Sequence, residues 1–471
     1  MVAGYPGGTY RYRTGAEMAW ARDVTYPWNI ATMTDLIAIL DAVAAADPTA
    51  EVRVSDFRFG LSNYLKNNEG MLDSFRAGGA VERAQARDAA LRASLAARTD
   101  DEARAWLAAT DELTQTLEEG RETDERDRTL GWMGWSVDAL SVASTAYWLA
   151  VEREKPDLER DSGYQERDWT RIRERVARLE TSFVTEADSR MLDYFAHRLD
   201  GLGEPDLAPA LDLLRELGAA PASGRGRGAG ADAGDGDVLA RGVRATYAAT
   251  LLTDSDARLS LLDASRVDLE QSRDPIVRLA VALYPLRRAI DDEANARDGA
   301  LGRLRPQVLA AVRELSTAPI YPDANSTLRV TFGNVAGYPG PDGVWYLPFT
   351  TANGVAAKHT GVFPFDAPDA LLDAIANDQR GPWLSPGLGA VPVNFLSTLD
   401  TTGGNSGSAT LDSRGRLCGL LFDGNYESMA SDWLFDPVRT RSIHVSTAYM
   451  LWVMSEVDHT DRLLDELGVA H

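Results

Sequence analysis

A chain of 471 residues with 48 Lys and Arg against 71 Asp and Glu has a formal net charge of -23, which repels a phosphate backbone and excludes nucleic acid as a partner. With 44% hydrophobic and 25% charged residues it has an ordinary folded balance, far from a disordered composition, and length enough for two or three domains. Its one cysteine, Cys418, excludes an internal disulfide and a paired-cysteine metal site, so neither metal nor cofactor is expected.

The opening, MVAGYPGGTYRYRTG, has neither the basic start nor the apolar stretch of a signal peptide, and no run of about 18 apolar residues offers a membrane span. No membrane partner is expected. Its Val-Ala pair and Gly-Tyr-Pro-Gly turn read like the end of a strand, which suggests a part missing upstream. From residue 31 to 315 the pattern is helical, rich in Ala, Leu, Arg and Glu. Trp169, Ile172, Val176, Leu179 and Phe183 recur at steps of three and four, an apolar stripe that predicts core packing. Residues 219–237, Gly, Ala and Asp without periodicity, predict a disordered loop. From residue 316 to 445 short β-prone pieces alternate with Gly, Pro, Asp and Asn clusters, the spacing of an antiparallel sheet or barrel. Residues 446–471 predict one closing helix, with Tyr449, Trp452 and Val453 packed on that domain. The class is α+β.

Chemistry concentrates between Thr401 and Thr410, TTGGNSGSAT, which sets Ser406 in a glycine-packed turn between two strand-like segments. Nucleophilic catalysis at serine needs an exposed hydroxyl and backbone N–H groups aimed at the developing oxyanion, and glycines let the chain turn tightly enough to give both. A turn of this composition is by itself an ordinary hairpin loop; the flanks distinguish the two readings.

The stretches TLRVTFGNVAGYPGPDGVWYLPFTT, VPVNFLSTLDTTGGNSGS, GLLFDGNYESMASDWLFDP and SIHVSTAYMLWVM resemble, in order, the C-terminal barrel of the bacterial dipeptidyl-peptidase 7 and 11 family, family forty-six of the serine peptidases. The likeness is dense from Thr317 to Gly468 and thinner over GYPGGTYRYRT and LSNYLKNNEGM. It implies a chymotrypsin-like double barrel with a large inserted helical domain, of which the C-terminal barrel is present and residues 1–30 are the remnant of the N-terminal one. The implied activity is release of dipeptides from peptides with a free N-terminus, through an acyl-enzyme. A homodimer is left open, and for full-length relatives a periplasmic or secreted location is implied.

Residue by residue, Ser406 matches the family's nucleophile, and the N–H groups of Gly404 and Ser406 match its oxyanion donors. Asp423, in FDGN, matches the carboxylate that holds the substrate's terminal ammonium; a fixed charge there selects peptides that end two residues from the scissile bond. Gly424 matches the position where glycine accompanies hydrophobic P1 residues and arginine acidic ones, which implies a hydrophobic P1 preference. Asn63 resembles the asparagine that also caps the substrate's N-terminus, with Asn67 the alternative in a shifted register.

A serine hydroxyl also needs a general base and a carboxylate to orient it. The family carries both upstream of the GYPG strand, and none of His197, His359, His444, His459 and His471 lies in a comparable context. The resemblance therefore implies an N-terminally truncated, inactive chain; the alternative is a peptide-binding protein without chemistry. The motif departs from the family in Ala409, where proline is usual after the second serine. Cys418 reads as a small apolar residue rather than a second nucleophile.

Overall fold

The computed structural model describes residues 1–220, 237–317 and 320–470. The disordered loop expected at 219–237 lies, over 221–236, outside the described residues. By contacts the chain divides into a sheet-bearing unit, Met1–Pro27, Asn67–Ala93 and Val312–His471, and a helical unit, Trp28–Lys66 and Ser94–Ala311.

Among the described residues the sheet-bearing unit is built on nine strands: β1 (Val2–Gly4), β2 (Arg329–Thr331), β3 (Tyr338–Pro339), β4 (Trp345–Tyr346), β5 (Phe349–Thr351), β6 (Pro392–Ser397), β7 (Ala409–Leu411), β8 (Leu417–Gly424) and β9 (Ser442–Ser446). Seven of them form one antiparallel sheet in the order β2-β1-β7-β8-β9-β6-β5, and β3 and β4 make a separate pair. The chain beyond β2 turns back to β6: Val335 bridges Ser397, Ala336 N donates to Leu396 O and Thr398 N to Asn334 O. The opening strand thus belongs to the same sheet as the serine loop. Val2 pairs with Thr331 on one side and Thr410 on the other; of residues 1–30, expected as the remnant of an N-terminal barrel, the stretch from Gly15 onward is helical.

Val2 packs with Leu399 and Leu421 inside the sheet. Trp452, 1% exposed, fills a second cluster with Leu371, Val391 and Val393, and Tyr449 and Val453 pack against it. The tail is not one helix. It runs Thr447–Trp452, then a π-helical turn Val453–Val457, then Asp461–Glu466. A third cluster joins Met18, Phe75, Val81 and Ala84 to Trp433, whose indole donates to Tyr26 Oη at 2.9 Å. That cluster anchors the turn following β8 to the helices of its own unit.

In the helical unit Met33, Leu36, Leu40, Leu130, Leu140 and Phe195 form the main core. Of the apolar stripe, Ile172, Val176 and Phe183 are buried, with Trp169 and Leu179 half-buried. The helical stretch Gly15–Ala46 has an 18-residue window of mean hydropathy 1.5 and, by length and composition, could cross a membrane. An unbroken apolar run is a stricter test than a window average, which tolerates isolated charges; hence the sequence gives no sign of it. Met33, Leu36, Leu40 and Val43 of this stretch are buried in the helical core.

Candidate active site

The loop between β6 and β7 needs glycine at two points. Gly404 has φ +98° and Gly407 φ +81°, left-handed conformations that cost other residues about 1 kcal/mol or more. A Cβ on Gly404 would also stand 2.5 Å from Tyr5 O. Gly7 N donates to Gly403 O at 2.7 Å and Gly407 N to Leu421 O at 2.7 Å, so the loop is tied on one side to the Gly-Tyr-Pro-Gly turn and on the other to β8. Gly4 meets it as closely: a Cβ there would lie 2.5 Å from both Asn405 Oδ1 and Ser408 Oγ. Asn405 is buried and donates from Nδ2 to Thr402 O at 3.2 Å. Between these fixed points Ser406 is exposed.

Ser406 opens on a cleft of about 210 Å³ whose lining includes Asn67, Thr402, Phe422, Asp423, Gly424 and Met429. The register of β8 against β9 shifts between Leu421 and Asp423, a bulge that breaks the alternation and leaves Phe422 and Asp423 both exposed. Asp423 Oδ1 accepts from Gly424 N at 2.8 Å. Gly424 itself faces Ser428: a Cβ there would lie 2.5 Å from Ser428 Oγ, which donates to Asn425 O at 2.6 Å. Asn67 sits on the helix Pro48–Gly78 with its Nδ2 3.8 Å from Met429 Sδ. Asn63, one turn earlier, is exposed, belongs to the helical unit and is not among the cleft residues. Asn67, the alternative register, lines the cleft.

Asp432 also lines the cleft; burial, first of all, pushes its carboxyl up, against a hydrogen bond from Thr402. Beneath it Arg11 Nη2 donates to Asp400 Oδ1 at 2.6 Å, and Tyr321 Oη donates to Asp400 Oδ2 at 2.6 Å. Arg11 N also bonds Asp323 Oδ1 at 2.9 Å. The tyrosine- and arginine-rich segment after the opening turn therefore braces the loop that leads to Ser406. Sequence reasoning missed this role, although the unusual Tyr-Arg-Tyr-Arg run was its signal. Arg441 lines the cleft as well, but its guanidinium is turned onto backbone: Nε and Nη2 donate to Gly337 O at 3.1 and 2.8 Å, and Nη1 to Thr440 O at 2.7 Å.

Among the described residues no histidine lines the cleft. His444, on β9, is wholly buried, with Nε2 2.7 Å from Ser397 Oγ and Nδ1 2.8 Å from Thr410 Oγ1. Its ring stacks on Phe395 at 4.6 Å, and burial pushes its pKa down to about 4. His359 Nδ1 accepts from Ala367 N at 3.1 Å, and His459 is exposed with Nδ1 3.0 Å from Ser455 O. His197 pairs with Asp237 in the helical unit at 2.6 Å, and His471 lies outside the described residues. Cys418 is half-buried, its Sγ 3.2 Å from Thr410 O, and burial pushes its thiol up, the state of an unreactive cysteine.

The sequence profile of the family described as Peptidase S46 matches residues 1–469. An Asp/Glu-specific dipeptidyl-peptidase of Shewanella putrefaciens is 34% identical over 499 residues, covering 99% of this chain and 64% of the relative. Dipeptidyl-peptidase 7 of Porphyromonas gingivalis is 35% identical over 213 residues, 45% of this chain and 30% of the relative. A crystal structure of Porphyromonas endodontalis DPP11 in complex with the dipeptide Arg-Glu superposes over 100% of this chain and 64% of that one, with TM-score 0.77 and 23% identity. That likeness is one of fold: mostly helical, with an antiparallel sheet. The chain thus spans 64% of the length of the Shewanella relative.

Proposed function

The chain belongs to the peptidase S46 family, and on that premise we propose that its cleft serves a serine dipeptidyl-peptidase reaction with Ser406 as nucleophile. One observation carries the reading: Ser406, Asp423 and Gly424 from neighbouring segments and Asn67 from a helix more than three hundred residues earlier line a single cleft. The ammonium of a bound peptide sits on Asp423 and Asn67, so the second carbonyl reaches Ser406 Oγ. Attack of Ser406 Oγ forms the acyl bond while the N–H groups of Gly404 and Ser406 receive the oxyanion. The C–N bond then breaks, the hydroxyl proton passing through water to the leaving nitrogen so that the shortened peptide departs as the amine. A second water hydrolyses the ester to release the dipeptide and return the proton to Ser406. The curl of the sheet, closed where the chain beyond β2 meets β6, supports reading it as a chymotrypsin-like barrel.

The P1 pocket is read as hydrophobic. Gly424 places no cation in it, Phe422 and Met429 give apolar wall, and Arg441 is spent on carbonyls. The Shewanella relative's name, Asp/Glu-specific, describes that protein. The cleft as described contains no imidazole, so the hydroxyl lacks a base within it and turnover by this chain alone is expected to be very slow. That same observation favours a second reading, a protein that holds peptides without cleaving them.

The test is hydrolysis of fluorogenic dipeptides with leucine, phenylalanine or glutamate at P1, each free or N-acetylated, by this chain and its Ser406→Ala variant. Turnover confined to free-amine, hydrophobic-P1 substrates and lost in the variant supports the enzyme reading. Binding of the same peptides with no turnover supports the second. Preference for glutamate overturns the P1 assignment.

A further inference from the structure

The helical unit contains a polar cavity of about 380 Å³, lined by Gly134, Ser144, Trp148, Tyr164, Arg287 and Asp291 among others. None of its residues belongs to the cleft around Ser406.

Arg287 and Arg288 are neighbours with opposite fates. Arg288 pairs with Asp161 and Asp292; among the described residues Arg287 has no carboxylate within ion-pair distance, and its Nη1 is buried without a hydrogen-bond partner in the protein. Burial, the leading influence, lowers the pKa of Arg287, yet a guanidinium stays charged in any protein. The fold makes deliberate room for it. A Cβ on Gly134 would lie 2.7 Å from both Nη1 and Nη2, so any other residue there would push the guanidinium away. Ser144, on a facing helix, has a buried Oγ that likewise finds no partner. An unsatisfied guanidinium N–H and an unsatisfied hydroxyl lining one cavity suit a ligand that accepts from the first and can pair with the second, because unpaired buried polar groups are otherwise selected against. One turn along the helix from Arg287, Asp291 is exposed and not paired with it within 4.0 Å. Trp148 stacks on Tyr164 at 6.0 Å and 19°, giving an aromatic wall beside these charges.

An inner cation with a hydroxyl, an outer carboxylate and an aromatic side suit a molecule that is anionic at one end and cationic at the other. We propose that this cavity binds a small zwitterion of amino-acid or dipeptide size, its carboxylate on Arg287 and Ser144 and its ammonium toward Asp291. A dipeptide is also the product of the reaction proposed above, but the site stands whether or not that reaction occurs.

Calorimetric titration of the full chain with glycine, glycylglycine, N-acetylglycylglycine and inorganic phosphate tests the proposal. The chain carries Asp423→Asn, so that the ammonium anchor of the cleft is removed. Saturable binding of glycine or glycylglycine is expected, whichever is tighter naming the size, weakened about ten- to a hundredfold by Arg287→Gln and also by acetylation. Gly134→Ala is expected to weaken it by a similar factor with helical content unchanged. Binding that survives Arg287→Gln overturns the proposal, as does binding of phosphate alone, which would mark an oxyanion site. Absence of binding in the Asp423→Asn chain when the unmodified chain binds would place the peptide in the cleft and overturn it as well.

Discussion

Gly70 and Met429 approach so closely that a Cβ on Gly70 would stand 2.8 Å from Met429 Cγ and 3.4 Å from Tyr426 Cε2. The helix turn bearing Asn67 and the segment bearing Ser428 and Met429 are thereby set against each other on one side of the cleft. Gly70→Ala overpacks this contact at a cost of about 1–3 kcal/mol and should lower affinity for free-amine dipeptides by displacing Asn67. Gly60→Ala, on the same helix with nothing within 4 Å of its Cβ, should instead stabilise by about 0.5–1 kcal/mol. Thermal melts of the two variants check the pair; equal shifts would remove the packing argument.

Gly424 and Ser428 are coupled in the same manner. An arginine at 424 brings the cation that would favour acidic P1 side chains, but its Cβ meets Ser428 Oγ at 2.5 Å. Gly424→Arg alone should therefore destabilise by about 1–2 kcal/mol, and Ser428→Gly should restore most of that loss. In the double variant, binding of glutamate-P1 dipeptides should strengthen while leucine-P1 dipeptides weaken. A double-mutant cycle on melting and binding measures the coupling.

Local chemistry made part of the site legible from sequence. Ser406 between Gly404 and Gly407 announces a turn that needs left-handed backbone, and both glycines have it. Asp423 and Gly424 fall in a short motif on a single strand. The rest depends on distance along the chain. Val2 pairs with Thr331 and Thr410, and a three-residue strand carries no periodicity from which such partners can be read. Asn63 and Asn67 differ by one helical turn, so a sequence motif cannot say which reaches the cleft. Arg287 lies against Gly134 across more than a hundred residues, and helical periodicity marks neither.

His444 gives the sheet-bearing unit an acid limit. Its folded pKa, depressed by burial to about 4, lies below the ordinary value near 6.5. The unfolded chain therefore binds the proton more readily, and the stability that the neutral ring contributes is present above about pH 6.5 and lost as pH falls toward 4. The difference amounts to about 3 kcal/mol. His444→Gln, which can still bond Ser397 and Thr410, should melt with a shallower acid slope. Identical slopes from pH 7 to pH 4.5 would show that the ring is hydrated.

The helical unit has the opposite slope. Asp188 is buried where it accepts from the N–H groups of Asp138 and Ala139 and from Tyr247 Oη at 2.6 Å. Burial first, then the neighbouring carboxylate, pushes Asp188 up to about 7, and burial pushes Asp138 up to about 6 against the pull of Arg258. Raised carboxyl pKa values mean that the folded state binds protons more tightly, so this stability is full below about pH 4 and is lost as pH rises through 6 to 7. Asp138→Asn removes one charge of the pair. It should match the unaltered chain below about pH 4, begin to exceed it by about pH 5 and exceed it on the order of 2–3 kcal/mol at pH 8, read from melting in each buffer.

The sheet-bearing unit shows water an unusual amount of large apolar surface. Phe332 and Leu347, beside the strands β2 and β5 that end the strand order, are each 73% exposed, and Phe363, in the turn after the helix Ala352–Lys358, is 84% exposed. Large exposed apolar side chains of this kind invite intermolecular association. The isolated chain should therefore self-associate at micromolar concentration and bind an apolar dye in its folded state. Replacing Phe332, Leu347 and Phe363 together by serine should reduce both without lowering the melting temperature, since none is buried. Light scattering on a size-exclusion column decides it: a monodisperse monomer with a cooperative melt would show that this face is satisfied within the chain itself.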